Sequence, residues 1–527
     1  MRLIEFAEGR KPLASLFTGC LAGILLAAAP AAAHSPHSST LVVVVSDPSD
    51  ANVPGASVTV TGSATGVVRR SVTGADGAAT VAALPPGDQY TVSVALQGFT
   101  ARDVSGLALR AGEKATVKVR LELAGRQSEV TVFGTVDGVR ADPQIGLRLD
   151  GRRVDETPIF GRKVSALPLY NAAFRQGKGT GDVYLNTNYA ITGVGSRRTT
   201  STTLDGATND ESWGRQVPIA TVPLGAVQEV TSLSNAFSSE YGWTSGPALN
   251  MVTKSGTNEL HGDLLYTFRP GGLQSKSFST KNFCPDSTPG CVTPATLQSI
   301  VPPDVPDTLS QGSASIGGPL AKDKTFFFLA GDYTAQERTV LLSSSLPSYV
   351  LPADGSLDYT GDYHQALVDA RLDHRLDDRQ ALMLRLNYDR FHDTNPQDTV
   401  GGTNAPTVAR TYTRGSFTAQ VNHTAVLSAD AVNEARVAYL DGDPVTLWEA
   451  QNLSTTYTRS GPAPFTIGQS RVADLYSRAL QVSDTVSLAE GKHSLRAGFS
   501  VVRHASGGTG SEFGTATLGT FTFKSTT

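Results

Sequence analysis

Few residues in this chain stand in patterns that could do covalent or metal chemistry. Beyond Cys20 the cysteines are Cys284 and Cys291, and two near neighbours of this kind in an exported chain predict one disulfide closing a short loop. Two free thiols are the competing reading. A zinc site needs more ligands than that loop supplies. His34 and His37 could hold a metal weakly, but a plain N-terminal tail is the simpler expectation. Gln176-Gly177-Lys178-Gly179-Thr180 lacks both the upstream glycine and the hydroxyl residue after lysine that a phosphate loop requires. Neither G-x-S-x-G nor H-E-x-x-H occurs. Asp369, Arg371 and Asp373 put alternating charges on one face of a strand, which fits a wet wall better than an acid–base pair. No catalytic residue, metal or cofactor is expected, and the chain is not read as an enzyme.

The elements that carry these residues are extended. The 527 residues include 52 Gly, 28 Pro, 20 Phe and 15 Tyr, with only 17% charged, a composition that favours β structure. A net charge of −4 gives no electrostatic case for a nucleic-acid partner. Residues 1–33 read as an export signal. Arg2, Arg10 and Lys11 precede an apolar run from Leu13 to Ala29, and Ala31-Ala32-Ala33 offers cleavage between Ala33 and His34. A retained membrane anchor is the alternative, although Ser15, Thr18 and Pro30 interrupt a run already short for a span. Cys20, after Phe17-Thr18-Gly19, also loosely resembles an acylation site, but cleavage there would leave an apolar tail. No later segment holds eighteen consecutive apolar residues, so the mature chain could enter a membrane only as a β-barrel.

Residues 40–123 form one unit. Leu41–Val45, Val58–Thr61, Tyr90–Ala95 and Thr116–Leu123 read as short strands, separated by Asp-Pro, Asp-Gly and Pro-Pro-Gly turns. That spacing predicts a small β-sandwich. Residues 124–256 are Gly-rich and mixed. From Glu259 onward a different pattern begins. Leu264, Tyr266 and Phe268 oppose Asp263 and Thr267, and Leu382, Leu384 and Leu386 oppose Arg385 and Asn387. The same alternation recurs at 366–373, 417–422 and 494–501. Runs of about nine to eleven residues, tight turns such as Asp377-Asp378-Arg379 and long connections at 270–309 and 441–470 describe a transmembrane barrel. A soluble sandwich alternates too, and is the competing fold.

Two resemblances follow from quoted residues. "VPGASVTV" and "TGADGAATVAALPPGDQYTVSVALQGF" resemble the carboxypeptidase regulatory-like family, which implies a transthyretin-like sandwich without peptidase activity. Residues 225–269, "GAVQEVTSLSNAFSSEYGWTSGPALNMVTKSGTNELHGDLLYTFR", resemble the end of a TonB-dependent receptor plug entering its first barrel strand, most closely in the Oar-like subgroup. "TTLDGATND" (202–210) and "SIGGPLAKDKTFFFLAGDY" (315–333) are similar to flanking parts of the same subgroup. The resemblance is weakest over residues 140–200.

The expected fold is thus all-β dominated: a sandwich, a mixed α/β plug within 124–256, and the first part of an antiparallel barrel at 257–527. The resemblance implies an outer-membrane receptor that is energised by TonB, carries an unidentified ligand and keeps its sandwich on the periplasmic side. The strand that TonB would grip is placed at Glu129, Val130, Thr131 and Val132, where coupling by strand addition demands little of the sequence; a plain linker strand is the alternative there. About nine or ten alternating runs fall short of the 22 strands of large transporters, so a fragment or truncated gene product is expected. A surface adhesin using the sandwich to bind glycan is the rival function, and a secreted peptidase a more distant one.

Overall fold

The computed structural model describes residues 38–124, 132–133, 145–159, 162–176, 189–191, 200–211, 218–235, 241, 244, 247–273, 307–343, 346–395, 399–428, 431–448, 456–460, 464–468, 473–490, 493–510 and 520–524. Among these residues, no helix is long and apolar enough to cross a membrane, which leaves a β-barrel untouched as a possibility.

The N-terminal unit contains β1 (Ser39–Ser46), β2 (Ser57–Gly62), β3 (Val67–Val72), β4 (Ala78–Leu84), β5 (Gly87–Ala95), β6 (Arg102–Leu109) and β7 (Lys114–Arg120). One sheet runs β4–β1–β7. The other runs β3–β2–β5–β6 and ends on β8 (Val132–Phe133). Among the described residues of this unit, β1–β7 and β6–β8 pair in parallel and the other strand pairs are antiparallel. Alternation buries one face of each sheet: Leu41, Val43, Val45, Val58, Val60, Val92, Val94, Leu107 and Leu109 form a single core. Each such side chain gains about 1.5–3 kcal/mol on leaving water. The turns follow their chemistry. Gly77 holds φ of +70°, and its Cβ position is filled by the Val45 carbonyl and Val53 amide, so only glycine fits. Tyr90 Oη donates to the Pro85 carbonyl at 2.7 Å, pinning the Pro-Pro-Gly corner.

A second sheet runs β13–β12–β15–β14–β9, made of β9 (Ile145–Asp150), β12 (Ser201–Leu204), β13 (Ala207–Thr208), β14 (Val227–Asn235) and β15 (Ala248–Thr253). A two-stranded pair, β10 (Phe174–Gln176) and β11 (Tyr189–Ile191), lies beside it in sequence. A short helix, α1 (Gly151–Glu156), is capped by the Asp150 carboxylate accepting from the Arg153 amide. This unit is the mixed plug.

The third sheet has nine antiparallel strands among the described residues. They are β16 (His261–Arg269), β17 (Asp307–Ala321), β18 (Thr325–Leu341), β19 (Asp358–Arg375), β20 (Gln380–Asp393), β21 (Arg410–Val426), β22 (Ala431–Trp448), β25 (Ala473–Glu490) and β26 (His493–Gly510). The end strands β16 and β26 do not pair with each other, so the described sheet is an open wall. β23 (Thr456–Ser460), β24 (Phe465–Ile467) and β27 (Thr520–Lys524) form a separate three-stranded sheet.

The wall sorts its residues as alternation predicts. Leu264, Tyr266, Phe268, Leu384, Leu386, Phe417, Val421, Phe499 and Val501 are exposed on the outer face. Arg385, Asn387, Asp389, Arg414, Gln420 and Asn422 are buried on the inner face. Strands from β17 onward run to 14–18 residues, longer than the nine to eleven expected. The apolar alternation marks only the stretch against lipid, while polar residues such as Thr411, Thr413 and Asp443 continue the ladders beyond it.

Connections are short at one end (322–324, 376–379, 427–430, 491–492) and long at the other (270–306, 342–357, 394–409, 449–472). In outer-membrane barrels the short turns are periplasmic. The sandwich touches this short-turn end. The Asn258 amide donates to the Ala64 carbonyl at 2.9 Å, Arg375 Nη2 to the Thr65 carbonyl at 3.2 Å and Arg69 Nη1 to the Asp378 carbonyl at 3.4 Å. At the long-loop end, Leu342, Leu346, Val350, Val400, Ala405 and Val408 pack into a small core of their own.

Plug and wall meet covalently at 254–260. A Cβ on Gly256 would overlap the carbonyl oxygens of Phe327 and Gly318, two rigid ladder atoms. Gly256→Val should therefore displace this crossing from β17–β18. The expected result is loss of the detergent-resistant, fast-migrating folded band in unboiled electrophoresis, with Gly272→Val, which meets nothing within 4 Å, as the neutral control.

Candidate functional site

The plug is seated on the inner face of the wall through one buried carboxylate. Asp205 and Gly206 form the two-residue turn between β12 and β13, both in the left-handed region (φ +48° and +76°). That geometry suits an Asp-Gly hairpin turn. The turn points Asp205, 1% exposed, into the wall. Arg385 Nε lies 3.0 Å from Asp205 Oδ2 as an ion pair, without hydrogen-bond alignment, and Arg371 Nη1 lies 3.7 Å from Oδ1. The Thr253 amide and hydroxyl both donate to the carboxylate at 2.9 Å. Burial alone would raise the Asp205 pKa. The two guanidiniums and the Thr253 donors outweigh it and hold the carboxyl below its ordinary range.

Around this centre the plug's backbone is met by wall side chains. Gln420 Nε2 donates to the Asp205 carbonyl and Arg436 Nη1 to the Gly206 carbonyl, each at 2.9 Å. The Thr208 amide donates to Gln481 Oε1 at 2.7 Å, and the Leu224 amide to Asp332 Oδ2 at 3.2 Å. Asn387 Nδ2 donates to the Thr221 carbonyl at 3.0 Å. Arg371 also donates to the Thr253 carbonyl at 2.8 Å, while Asp373 accepts from Ser255 Oγ at 2.8 Å. Apolar contact is smaller: Ile219 and Ala220 pack on Leu440 and Ala479, and Phe328 and Ala330 join the plug core. Further along the wall, Tyr363, Phe391 and Tyr412 cluster, with Arg414 over the Phe391 ring at 4.9 Å and Lys163 of the plug over Tyr363 at 5.6 Å.

A second joint links plug and sandwich. Arg110 Nη2 lies 3.2 Å from Asp150, and Arg148 Nη1 lies 3.9 Å from Glu113, so each side supplies one charge of each sign. At the centre, Glu229 is 2% exposed; it accepts from the Ala111 amide at 3.1 Å and from Thr231 Oγ1 at 3.0 Å, with Arg148 Nε at 3.2 Å. Burial dominates here and raises the Glu229 pKa despite Arg148.

This contact is largely polar. Backbone-to-side-chain hydrogen bonds can be exchanged for water, whereas an apolar seal could not. Among the described residues no group of three or more His, Cys, Asp or Glu is placed to hold a metal ion. Of the residues singled out in the sequence, Asp369, Arg371 and Asp373 come together here, and Arg371 binds the plug. Ala33, His34, Glu129, Val130, Thr131, Cys284 and Cys291 lie outside the described residues, while Val132 opens the strand paired to β6. The alternation pattern did not single out Asp205 or Glu229. A lone acid in a turn and one inside a strand carry no distinguishing spacing.

Residues 252–360 and 353–527, more than half of the chain, match the outer membrane beta barrel domain. The chain belongs to this outer-membrane β-barrel family. The barrel protein's residues 40–122 match the carboxypeptidase regulatory-like domain. It is 28% identical over 322 residues to the TonB-dependent transporter Oar of Myxococcus xanthus, covering 58% of this chain and 28% of that one. Solved structures similar to the barrel protein include the outer membrane transporter YddB of Escherichia coli (TM-score 0.49, 14% identity, 68% of this chain and 48% of that one). A variant of the ferric enterobactin receptor PfeA of Pseudomonas aeruginosa gives a TM-score of 0.43 at 13% identity, over 68% and 49%. The chain thus spans under a third of the length of the curated relative and about half of these structures.

Proposed function

We propose that this barrel protein carries the sandwich, plug and first wall strands of a TonB-dependent, Oar-like transporter for an unidentified substrate. The observation that carries the reading is the polar seat of the plug: a carboxylate and several backbone groups held by inward-facing arginines, asparagine and glutamines of the wall. A packed apolar lumen would have no way to let the plug go. Export proceeds by cleavage between Ala33 and His34, the loops at the long-connection end meet the ligand, and Cys284 and Cys291 pair in one of them. TonB grips the strand at Glu129–Val132, reached through the linker between sandwich and plug.

The full-length gene product should fractionate with the outer membrane and migrate faster before boiling than after. The periplasmic domain of TonB should pull it down, and Val130→Pro should abolish capture without changing heat-modifiable migration, because proline removes a ladder donor. Undiminished capture by the proline variant would move the coupling strand elsewhere; a soluble, freely diffusing product would end the barrel reading.

A further inference from the structure

The outer face of the wall holds a polar notch near the periplasmic rim. It opens between the β19–β20 turn and the end of β21 and extends obliquely to β25, enclosing about 690 Å³. Its lining includes Asp378, Arg379, His423, Leu427, Asn433 and Asp484. Strand alternation settles which way the strand residues face. His423 follows the inward Asn422 and pairs with Leu382 and Ala435. Asp484 pairs with Ala435 and the exposed Phe499, and its neighbours two residues away are Val482 and Val486.

An ionisable residue on this face is unusual, because a charge facing lipid is destabilising to a degree that grows with depth. Asp484 is held from one side by Asn433 Nδ2 at 2.5 Å. His423, two strands from Asp484 along the row that runs through Ala435, has its Nε2 3.2 Å from Gln380 Oε1 on the adjacent strand. Arg379 stands exposed on the turn, and its carbonyl ties the turn to Val426 at 2.7 Å. The notch therefore offers a cation and a ring donor (Arg379, His423) and anionic groups (Asp378, Asp484) within one concavity. Leu384, Val421, Val437 and Val482 form the next row of the outer face.

We infer that this notch binds the headgroup of an amine-bearing glycerophospholipid of the inner leaflet, such as phosphatidylethanolamine. Arg379 and His423 take the phosphate, Asp484 and Asp378 take the ammonium, and an acyl chain lies along the Val421 row. A purely anionic headgroup satisfies Arg379 and His423 but leaves Asp484 facing a like charge. A choline headgroup fills the ammonium position without the hydrogens that Asp484 would accept. The inference rests on the barrel spanning the outer membrane, not on TonB coupling or on any substrate.

Native mass spectrometry of the full-length gene product in detergent, titrated with phosphatidylethanolamine, phosphatidylglycerol or phosphatidylcholine, tests it. The wild-type protein should retain one phosphatidylethanolamine at collision energies that strip the other two lipids. Arg379→Ala and, separately, Asp484→Asn should each lower that retention about tenfold while heat-modifiable migration persists, which keeps failure of the site distinct from failure of the barrel. Equal retention of all three lipids, or full retention by the folded Arg379→Ala protein, overturns the inference. So does a co-purifying protein that occupies the notch and leaves no lipid bound.

Discussion

Replacing Asp205 with alanine should unseat the plug while leaving the barrel wall intact. Among the described residues the carboxylate is the plug side chain that pairs with both Arg371 and Arg385, and both arginines are largely buried. Removing one partner of a buried ion pair costs about 3–5 kcal/mol, because the stranded charge stays desolvated. Arg371 keeps Asp373 at 2.9 Å and Arg385 keeps Asp369 at 3.7 Å, so the loss falls toward the low end of that range. The Thr253 amide and hydroxyl lose their acceptor in the same step. Asp205→Asn separates the two contributions, since asparagine tolerates the left-handed turn and still accepts from Thr253. Protease digestion of the folded, detergent-solubilised protein should cut the plug readily in the alanine variant and only slightly faster in the asparagine variant. pH acts in a defined direction. The depressed carboxyl stabilises the seat fully above its ordinary pKa, and that contribution is lost as pH falls through the lower value in the seated state. Wild-type plug release should therefore require strongly acidic solution, and Asp205→Asn should remove this dependence.

The joint between sandwich and plug should respond to acid in the opposite sense. Glu229 has its pKa raised by burial, so its favourable contribution is complete below the ordinary glutamate range and is lost as pH climbs through the raised value. Glu229→Gln keeps an acceptor for the Ala111 amide and should hold the joint closed at every pH. Glu229→Ala leaves that buried amide without its acceptor and Arg148 with only Glu113, at 3.9 Å, at a cost of about 1–3 kcal/mol. A cysteine pair introduced on either side of the Arg110–Asp150 contact reports closure by disulfide yield. Yield should fall in the alanine variant and match wild type in the glutamine variant. Equal yields for all three would remove Glu229 from the joint.

How much of this was legible in the sequence depends on how local the physics is. The sandwich could be read because each strand and turn is specified within a few residues: alternating valines, then Asp76-Gly77 or Pro85-Pro86-Gly87. The facing of the wall was equally legible, since period two fixes Leu384 outward and Arg385 inward without reference to any partner. The plug was not. Its sheet places β12 beside β15 and β14 beside β9, pairings between segments tens of residues apart that leave no local signature. Asp205 looked like any turn aspartate, and only the wall's two arginines make it a seat. Glu229 sits in a strand that reads as ordinary alternation, and its burial is created by a loop of the sandwich more than a hundred residues earlier.

The parallel pairing of β1 with β7 has a mechanical consequence. The chain leaves β7 toward β8 and the plug at the end where β1 also finishes, and seven residue pairs from Thr40–Lys114 to Ser46–Arg120 join the two strands. Once the two residue pairs that hold β8 on β6 have parted, a pull along the linker drags β7 along its own axis, so the ladder is loaded in shear and its bonds share the force. A hairpin pulled at its open end would instead yield one bond at a time. The sandwich is thus built as a fixed anchorage: tension applied between it and the plug is expected to part the Glu229 joint before it draws a strand out of the module.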